Sequence, residues 1–526
     1  MTTNAHRIIA RIKRLIQLAD LGAAEELCAR LLDSCPQQPA AWWWGAVVAL
    51  RRGAPHIALV RVNRGLELTP VDPRLLENKA LCLHRLGKRA ESAAIAREAL
   101  AQANNDGALL DSIGSILSIC GDQLGALEAF DRAVGCEPGN TRYRFNRAVV
   151  LRFLGRFDAA ESDYDTVISI DPDRYEAWPN RSDLRPQSAD RNHIAALRAR
   201  ITDSQTSSRA KPHLFYALAK ELEDLGEYAE AFTHLREGAA LRRAQLRYDI
   251  QVDVATTEWI IEAFPQTLTS SSHDSLSPGR PIFIVGMPRT GSTLLERILS
   301  RHALIDAGGE LDSLASAVTE AATDIAGPEH TRRDELIRAS AQIDFGRLGE
   351  AYLERVRPLG QERRCFTDKM PLNYLYCGLI ARALPGARIV HTTRHPMATC
   401  YAMYKTLFKS GYPFSYDLAE LGAMFIAYRR LMTHWIRTIP GVITEVSYER
   451  LVTDRESTTK ALIKACGLEW EEACLDFVGN TAPVTSASAS QVRRSLYTGS
   501  LEQWRNYQDE LAPLKQQLEA AGIDTQ

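Results

Sequence analysis

The sequence lacks several features by which major classes of protein are recognised. Its 63 basic and 65 acidic side chains leave a formal charge of −2, without the basic surplus of a nucleic-acid binder, so no nucleic-acid polymer is expected as a partner. The longest uninterrupted apolar run, Ala40–Leu50, is too short to span a bilayer, and we expect no membrane span. The ten cysteines form no CxxC pair and show no metal-ligand spacing, so neither a metal site nor a disulfide framework is expected.

The start of the sequence also lacks the apolar core and the small-residue cleavage site of a secretory signal. Together with the scattered thiols, this predicts a cytoplasmic protein. Residues 1–20 are basic and amphipathic, which leaves a transit peptide or a surface-seeking helix as alternatives to a first packed helix. With 526 residues, of which 45% are hydrophobic, the chain is long enough for two or more domains.

A repeat with a period of 34 residues runs through the first third of the chain. One series comprises Pro36, Pro70, Asn104, Pro138 and Pro172, and a second comprises Gly53, Gly87, Gly121 and Gly155, each followed five positions later by Ala58, Ser92, Ala126 or Ala160. The glycine permits a tight turn between two helices, the small residue lets them approach closely, and the proline ends the second helix. The pattern resembles the tetratricopeptide repeat, a pair of antiparallel helices.

We expect tetratricopeptide repeats over 1–182, an irregular connector over 183–266 with a further repeat-like helical pair at 212–245, and a linker at 267–280. Such solenoids usually bind a peptide or another protein, or self-associate, so the repeats are expected to recruit an acceptor peptide or a partner. A homodimer and a purely structural role are the alternatives. The tryptophans at 42–44 could form a peptide-binding aromatic patch or pack between helices.

The second half of the chain opens with the segment PIFIVGMPRTGSTLLERILSRH. The apolar run Ile282–Val285 predicts a buried parallel strand, Gly286–Gly291 a turn, and Ser292–Ser300 a helix. This order aims backbone N–H groups and a helix N-terminus at a phosphate. A Walker A loop would place a lysine directly after Gly291, where this sequence has Ser292, so ordinary ATP or GTP hydrolysis is not expected.

Further strands are predicted downstream, each followed by polar residues. They cover Arg364–Thr367, Ala387–Thr393 and Gly441–Val446. Because the carboxyl ends of parallel strands line one edge of a sheet, we expect Arg289, Lys369 and Arg394 to gather there as a local anion site that the net charge conceals.

The motifs of this half resemble those of sulfotransferases that use 3′-phosphoadenosine 5′-phosphosulfate (PAPS). PRTGSTLLERIL is similar to the family's 5′-phosphosulfate loop and TTRHPMATCYAMYK to its 3′-phosphate segment, and DKMPLN, YERLV and SASASQVRRSLY…QW follow in the family's order. The resemblance covers about 281–510 and is closest to the bacterial tetratricopeptide-repeat sulfotransferases and the tyrosylprotein sulfotransferases. It implies an all-α tetratricopeptide solenoid followed, over 281–526, by an α/β P-loop-like sulfotransferase domain with a parallel sheet.

The resemblance also implies a set of site residues, with PAPS as co-substrate and no metal. The donor would be held by Arg289, Thr290, Gly291, Ser292 and Thr293 at the 5′-phosphosulfate, by Arg394 at the 3′-phosphate, by Tyr448 beside the adenine, and by Gln491, Val492, Arg494 and Tyr497 in a segment that folds over the nucleotide. Glu310 would be the catalytic base, Lys369 and Arg289 would stabilise the transition state, and Ser488 would assist.

These residue types suit the transfer of a sulfuryl group to a hydroxyl. Charge builds on the bridging and equatorial oxygens as the bisphosphate leaves, so cationic side chains stabilise the transition state, while a carboxylate accepts the hydroxyl proton. The histidines at 302, 391 and 395 are alternative bases, although a histidine near a strand end is more often a satisfied hydrogen-bonding residue.

Two departures from the family pattern keep other functions open. Ala402 stands where the family places a serine that bonds the 3′-phosphate, with Thr399, Tyr401 or Lys405 as candidates to compensate, and Gln503 replaces a basic residue. We therefore hold three hypotheses: a PAPS-dependent sulfotransferase, an interaction scaffold with a degenerate sulfotransferase domain, and a P-loop nucleotide kinase. For the first, peptide tyrosine is the leading acceptor, with a carbohydrate, a lipid or a small phenol as alternatives.

Overall fold

The chain divides into two compact units. In this computed structural model the described residues are 3–266, 279–327, 329, 332–357, 363–476 and 499–526. One unit comprises Met1–Asp171 with Arg355–Gly360, and the other comprises Pro172–Glu354 with Gln361–Gln526. Among the described residues, none of the helices is both long and apolar enough to cross a membrane.

The first unit contains ten helices in its described part before Asp171. They are α1 (Thr3–Gln17), α2 (Leu21–Ser34), α3 (Pro39–Arg51), α4 (Pro55–Leu68), α5 (Pro73–Arg85), α6 (Arg89–Gln102), α7 (Gly107–Ile119), α8 (Gln123–Cys136), α9 (Thr141–Phe153) and α10 (Phe157–Ile170). Successive helices from α3 to α10 pack in pairs, as the 34-residue period predicts.

The repeat residues act in these pairs as the sequence predicts. The turn between α5 and α6 lies at Gly87, whose φ is +77°, and the equivalent turns lie at Gly53, Gly121 and Gly155, which also have positive φ. Ala58, Ser92, Ala126 and Ala160 are completely buried. The left-handed turn therefore reverses the chain, and the small residue lets the paired helices approach closely. The predicted all-α repeat architecture is confirmed.

The tryptophans of α3 pack within this unit. Trp44 packs against the apolar core that α1 and α2 form, Trp43 packs against the next core along the chain, and the Nε1 of Trp42 donates to the carbonyl of Pro36 at 2.8 Å. Packing between helices is thus a role that these rings fulfil.

The second unit is built around a five-stranded parallel sheet. Its strands are β1 (Arg280–Val285), β2 (Ile305–Ala307), β3 (Cys365–Asp368), β4 (Arg388–Thr393) and β5 (Ile443–Ser447), in the order β2-β3-β1-β4-β5. All four strand pairings are parallel. The predicted α/β domain with a parallel sheet is confirmed, and β2 is an edge strand that the sequence did not predict.

Sixteen further helices and four 3₁₀ turns are described after Asp171. They are α11 (Ala177–Ser182), α12 (Ile194–Thr202), α13 (Lys211–Asp224), α14 (Tyr228–Ala244), α15 (Ile250–Ala263), α16 (Ser292–Leu299), α17 (Ser313–Ala326), α18 (Arg333–Ser340), α19 (Phe345–Val356), α20 (Cys377–Ala383), α21 (Pro396–Tyr404), α22 (Leu418–Thr438), α23 (Tyr448–Thr453), α24 (Arg455–Ala465), α25 (Gly499–Glu502) and α26 (Ala512–Ala520), with 3₁₀ turns at Pro371–Tyr376, Pro413–Tyr416, Glu472–Leu475 and Gln503–Tyr507.

Apolar side chains cover both faces of the sheet. On one face, Ile282 and Ile284 of β1 and Val390 of β4 pack against Leu295 of α16 and Leu462 of α24. On the other, the ring of Phe283 lies 5.5 Å from that of Tyr352 of α19. Burial on both faces explains why these strands read as continuous apolar runs.

The predicted extra helical pair belongs to the second unit. It consists of α13 and α14, which turn at Gly226 with a φ of +82°. The hydroxyl of Tyr216 donates to the carbonyl of Tyr404 at 3.0 Å, and the ring of Phe232 lies 5.4 Å from that of Tyr507. The pair therefore packs against α21 and the segment before α26.

Candidate active site

The strand order brings the predicted site residues of the described chain to one edge of the sheet. Across that edge, from β2 to β5, lie Glu310, Lys369, the loop Gly286–Gly291, Arg394 and Tyr448, each directly after its strand or within a few residues of it. The crevice beyond the carboxyl ends of parallel strands is where α/β proteins usually bind ligands. Ser488, Gln491, Val492, Arg494 and Tyr497 lie outside the described residues.

The loop after β1 is held in shape by its threonine. The Oγ1 of Thr290 donates to the carbonyl of Met287 at 2.7 Å and lies 2.7 Å from the Oγ1 of Thr392 at the end of β4. The loop ends at Gly291, where φ is +94°, and α16 begins at Ser292. The first backbone N–H groups of a helix have no partner within it, so this N-terminus can bind an anion.

Two arginines meet beside this loop. Nη1 of Arg394 donates to the carbonyl of Arg289 at 2.9 Å, and its guanidinium lies 4.8 Å from the ring centroid of Tyr448. Burial, together with the positive charge of Arg394, lowers the pKa of Arg289 to about 10. Burial also lowers the pKa of Arg394. A bound anion would offset the repulsion between the two guanidinium groups, so this donor set fits a nucleotide phosphate.

Glycine is required where the loop meets Tyr448. A Cβ atom on Gly291 would lie 2.4 Å from Cδ2 of Tyr448. The tyrosine ring thus closes over the loop on the side of Arg394, where the sequence resemblance places the adenine.

Glu310 and Lys369 form an ion pair at the other end of the edge. Nζ of Lys369 donates to Oε1 of Glu310 at 2.5 Å. The lysine side chain is 4% exposed and the glutamate side chain 49% exposed, so the carboxylate is accessible and the ammonium lies beneath it. Lys369 is close to the loop Gly286–Gly291, called the anion loop below. The N–H of Gly286, in this loop, donates at 3.2 Å to the carbonyl of Pro371, two residues after Lys369.

The turn that carries Glu310 is joined to the end of β3. The N–H of Gly308 donates to the carbonyl of Thr367 at 3.1 Å, and the N–H of Lys369 donates to the carbonyl of Gly309 at 2.8 Å. Oε1 of Glu296, on α16, accepts from the N–H of Gly309 at 3.0 Å and from Oγ1 of Thr367 at 2.9 Å.

A buried carboxyl group lies next to the ion pair. Asp368 accepts hydrogen bonds from the hydroxyl of Tyr352 at 3.0 Å and from Nδ2 of Asn373 at 3.1 Å. Burial raises the pKa of Asp368 to about 8, although these donors act in the opposite direction. Asp368 thereby connects the end of β3 to α19 and to the 3₁₀ turn Pro371–Tyr376.

Aromatic side chains lie near Glu310. The ring of Tyr412 lies 4.8 Å from that of Phe408 and 6.2 Å from that of Phe414, and its backbone has a φ of +50°. The hydroxyl of Tyr416 bonds both the N–H and the carbonyl of Phe408 and so closes this segment into a loop. Burial, and then the charge of Glu310, raises the pKa of Tyr412.

The three candidate histidines are engaged in hydrogen bonds with the protein. Nε2 of His302 lies 2.9 Å from the carbonyl of Glu469. His391 lies between Tyr428 and Glu445, and burial lowers its pKa. Nε2 of His395 lies 3.1 Å from the carbonyl of Gln526, and the backbone N–H of this residue donates to Glu449 at 2.7 Å. His302 and His391 are thus the satisfied hydrogen-bonding residues that a position near a strand end favours, whereas Nδ1 of His395 is buried without a hydrogen-bond partner among the described residues.

The residues considered as substitutes for a serine at 402 bond elsewhere. Glu223 of α13 accepts from the hydroxyl of Tyr401 and, at 2.7 Å, from Nζ of Lys405, which also donates to Gln503 at 2.8 Å. Oγ1 of Thr399 donates to the carbonyl of Arg394 at 3.3 Å. Tyr401 and Lys405 therefore attach the end of α21 to α13, and Lys405 also attaches it to the segment after α25.

Sequence reasoning did not identify Glu296, Asp368 or Tyr412. The glutamate follows the anion loop by one helical turn and reads as an ordinary exposed helix charge, and the aspartate sits inside the motif DKMPLN without a role. The aromatic spacing of Phe408, Tyr412 and Phe414 was a usable signal for the ring cluster. Within the described ranges, no group of three His, Cys, Asp or Glu side chains is placed to hold a metal ion.

Comparisons with known proteins match both units. Residues 281–472 match the model of the sulfotransferase family, and residues 141–174 match that of the tetratricopeptide repeat. An uncharacterized protein of Aquifex aeolicus (strain VF5) is 29% identical over 371 residues, which are 69% of this chain and 48% of that protein. This chain thus matches about half the length of that relative.

Two further similarities concern sulfotransferases by name. Protein-tyrosine sulfotransferase 1 of Danio rerio is 24% identical over 259 residues, 45% of this chain and 70% of that protein. The solved sulfotransferase domain from the Synechococcus PCC 7002 olefin synthase is 20% identical, with a TM-score of 0.33 over 49% of this chain and 99% of that domain. The resemblance drawn from the motifs is confirmed by the family models, which indicate a sulfotransferase domain after tetratricopeptide repeats.

Proposed function

We propose that this chain is a PAPS-dependent sulfotransferase that transfers a sulfuryl group to an acceptor hydroxyl, with peptide tyrosine as the acceptor and the cytoplasm as its compartment. The observation that supports it best is the arrangement along the sheet edge. The anion loop, which contains Arg289 and contacts Arg394, lies over β1 and β4, and a lysine–glutamate pair lies beside it over β2 and β3.

The donor would lie along this edge. The loop residues Arg289, Thr290, Gly291, Ser292 and Thr293 would hold its 5′-phosphosulfate, Arg394 its 3′-phosphate and Tyr448 its adenine. Bound in this way, the donor supplies an activated sulfuryl group with a bisphosphate as leaving group. Both phosphate positions meet cations or a helix N-terminus, as anionic ligands require.

The acceptor side would use the ion pair. Glu310 is half exposed and can accept a proton from an approaching hydroxyl, while Lys369 lies beneath it, where negative charge builds on the transferred group. An ammonium group has three N–H donors, of which the contact with Glu310 uses one.

The choice of tyrosine is supported by two observations. Proteins named protein-tyrosine sulfotransferases are among the relatives. In addition, burial and then the charge of Glu310 raise the pKa of Tyr412, whose ring lies 4.8 Å from that of Phe408, and these two rings offer an aromatic surface against which a phenol ring can stack. The repeats would bring the peptide or a partner that carries it.

Titration calorimetry with adenosine 3′,5′-bisphosphate tests the donor site. We expect binding in the micromolar range, about −8 kcal/mol, without a requirement for Mg²⁺. Absence of binding to folded protein would refute the donor assignment, and Mg²⁺-dependent binding of ATP in its place would favour the kinase hypothesis.

A transfer assay with radiolabelled PAPS tests the reaction. A peptide with one tyrosine should be labelled and the same peptide with phenylalanine should not. Glu310→Gln and Lys369→Met should each lower turnover by about 100-fold or more, as expected for a general base and a transition-state cation. Unchanged function in both variants would favour the interaction scaffold.

A further inference from the structure

We propose that Glu296 is a positioning residue that holds the Glu310 turn against the strand end carrying Lys369. The inference rests on the proposed function, since it assigns Glu296 a role in the same site. Glu296 lies on α16, in the second turn of the helix that begins at the anion loop.

The contacts of Glu296 reach the two chain segments that carry the ion pair. Its Oε1 accepts from the N–H of Gly309, the residue before Glu310, and from Oγ1 of Thr367, two residues before Lys369. One carboxylate oxygen therefore bridges the two chain segments. Both segments are therefore held to the same side-chain atom of α16.

The two hydrogen bonds to Glu296 lie just beyond the point where the pairing of β2 with β3 ends. The parallel ladder between β2 and β3 ends at the pair Ala307 and Thr367, before either reacting side chain is reached. Beyond it, the N–H of Gly308 donates to the carbonyl and to Oγ1 of Thr367, at 3.1 and 3.2 Å. Thr367 thus joins the turn and Glu296 through a single hydroxyl.

Helix α16 contacts both the loop that would hold the donor and the turn that carries Glu310. Ser292, at the start of α16, lies at the anion loop, and Glu296 lies four residues later on the same face of the helix. A rigid helical turn therefore fixes the distance between the loop that would hold the donor and the turn that carries the base. Catalysis by a general base depends on such positioning, and a displacement of about 1 Å can cost about 100-fold in rate.

The test compares Glu296→Ala, which removes the acceptor, with Glu296→Gln, which keeps an oxygen in its place. We expect kcat to fall about 10–100-fold in the alanine variant and to stay within about threefold of the unaltered protein in the glutamine variant. Affinity for the bisphosphate should be unchanged in both, because the anion loop keeps its contacts. Glu350→Ala, which removes an exposed glutamate of α19, is the matched control.

A second pair of variants tests the shared hydroxyl. Thr367→Val removes the hydroxyl and should lower kcat to the same extent as Glu296→Ala. Thr367→Ser keeps the hydroxyl and should keep kcat close to that of the unaltered protein. If Glu296→Ala keeps its kcat, or loses bisphosphate affinity in proportion to kcat, the positioning role is wrong.

Hydrogen exchange gives a readout that does not depend on activity. The peptide spanning 305–311 should exchange faster in Glu296→Ala than in the unaltered protein or in the Glu350→Ala control, because the N–H of Gly309 loses its acceptor. Unchanged exchange there would overturn the inference even if the unaltered protein transfers no sulfuryl group. Faster exchange in a protein without transferase activity would instead refute the proposed function alone.

Discussion

Gly308 is the residue where a single added methyl group should displace the proposed base. A Cβ atom at this position would lie 2.2 Å from the carbonyl oxygen of Thr367, which belongs to β3, between β2 and β1. Real Cβ atoms do not approach closer than 3.0 Å, so the turn must move by about 0.8 Å. The strand is held on both sides and cannot yield, whereas the turn lies at the sheet edge and can.

This movement is large compared with the contacts of the site. Oε1 of Glu310 would move away from Nζ of Lys369, which now lies at 2.5 Å. The hydrogen bond from the N–H of Gly308 to the carbonyl of Thr367 would lengthen from 3.1 Å. A misplacement of nearly 1 Å predicts a fall in kcat of about 30–100-fold in Gly308→Ala, equivalent to about 2–3 kcal/mol in the activation barrier. The free energy of unfolding should fall by about 1–3 kcal/mol.

Gly309→Ala provides a matched control one residue away. Its φ is +70° and its Cβ atom would meet nothing within 4 Å, so the variant should lose about 1–2 kcal/mol of stability through backbone strain without displacing Glu310. Initial rates with radiolabelled PAPS, bisphosphate titration and urea unfolding measure the three effects. The reasoning is refuted if folded Gly308→Ala retains kcat within about threefold, or if both variants lose kcat equally.

Three further changes test other parts of the molecule. Ala402→Ser should tighten bisphosphate binding about threefold to tenfold in calorimetry, because a hydroxyl there can bond the 3′-phosphate; an unchanged Kd would contradict this placement. Because the pKa of Asp368 is raised, the folded state keeps a proton that the unfolded state has lost between about pH 5 and 8. The free energy of unfolding should therefore fall by up to about 1.4 kcal/mol per pH unit over this range. In Asp368→Asn, urea unfolding should show a weaker dependence of the free energy of unfolding on pH. Gly114→Ala should lower the melting temperature of the repeats, because its Cβ atom would lie 2.8 Å from Phe130, whereas Gly135→Ala, with nothing within 4 Å, should not.

The repeats and the central strands were predictable because local sequence determines them. A glycine with positive φ and a small buried residue are needed in every helical pair, so they recur at the period of the structure, as Gly87 and Ser92 do. Strands buried on both faces need continuous apolar residues, and the runs that end at Val285 and Thr393 have them. The residues after those strands were therefore expected at one edge.

The parts that were not predicted depend on contacts between distant segments. The strand β2 has three residues and one neighbour, so it leaves little pattern in the sequence, although it sets the position of Glu310. Glu296 and Thr367 are 71 positions apart, and only the folded chain brings their side chains to 2.9 Å. A buried carboxyl such as Asp368 likewise looks like any other aspartate until its surroundings are known.

The strand order arranges the site residues along the sheet edge in an order that differs from their order in the sequence. In chain order the site residues run from the anion loop to Glu310, Lys369, Arg394 and Tyr448, but in the sheet the loop lies at the centre. Anion-binding groups lie on the side of β4 and β5, and the pair that would handle the proton and the developing charge lies on the side of β3 and β2. A donor bound along the edge with its 3′-phosphate at Arg394 would therefore extend its reactive end toward Lys369. Because α16 contacts both the centre and the β2 side, through the loop and through Glu296, one helix can fix the alignment between donor and base.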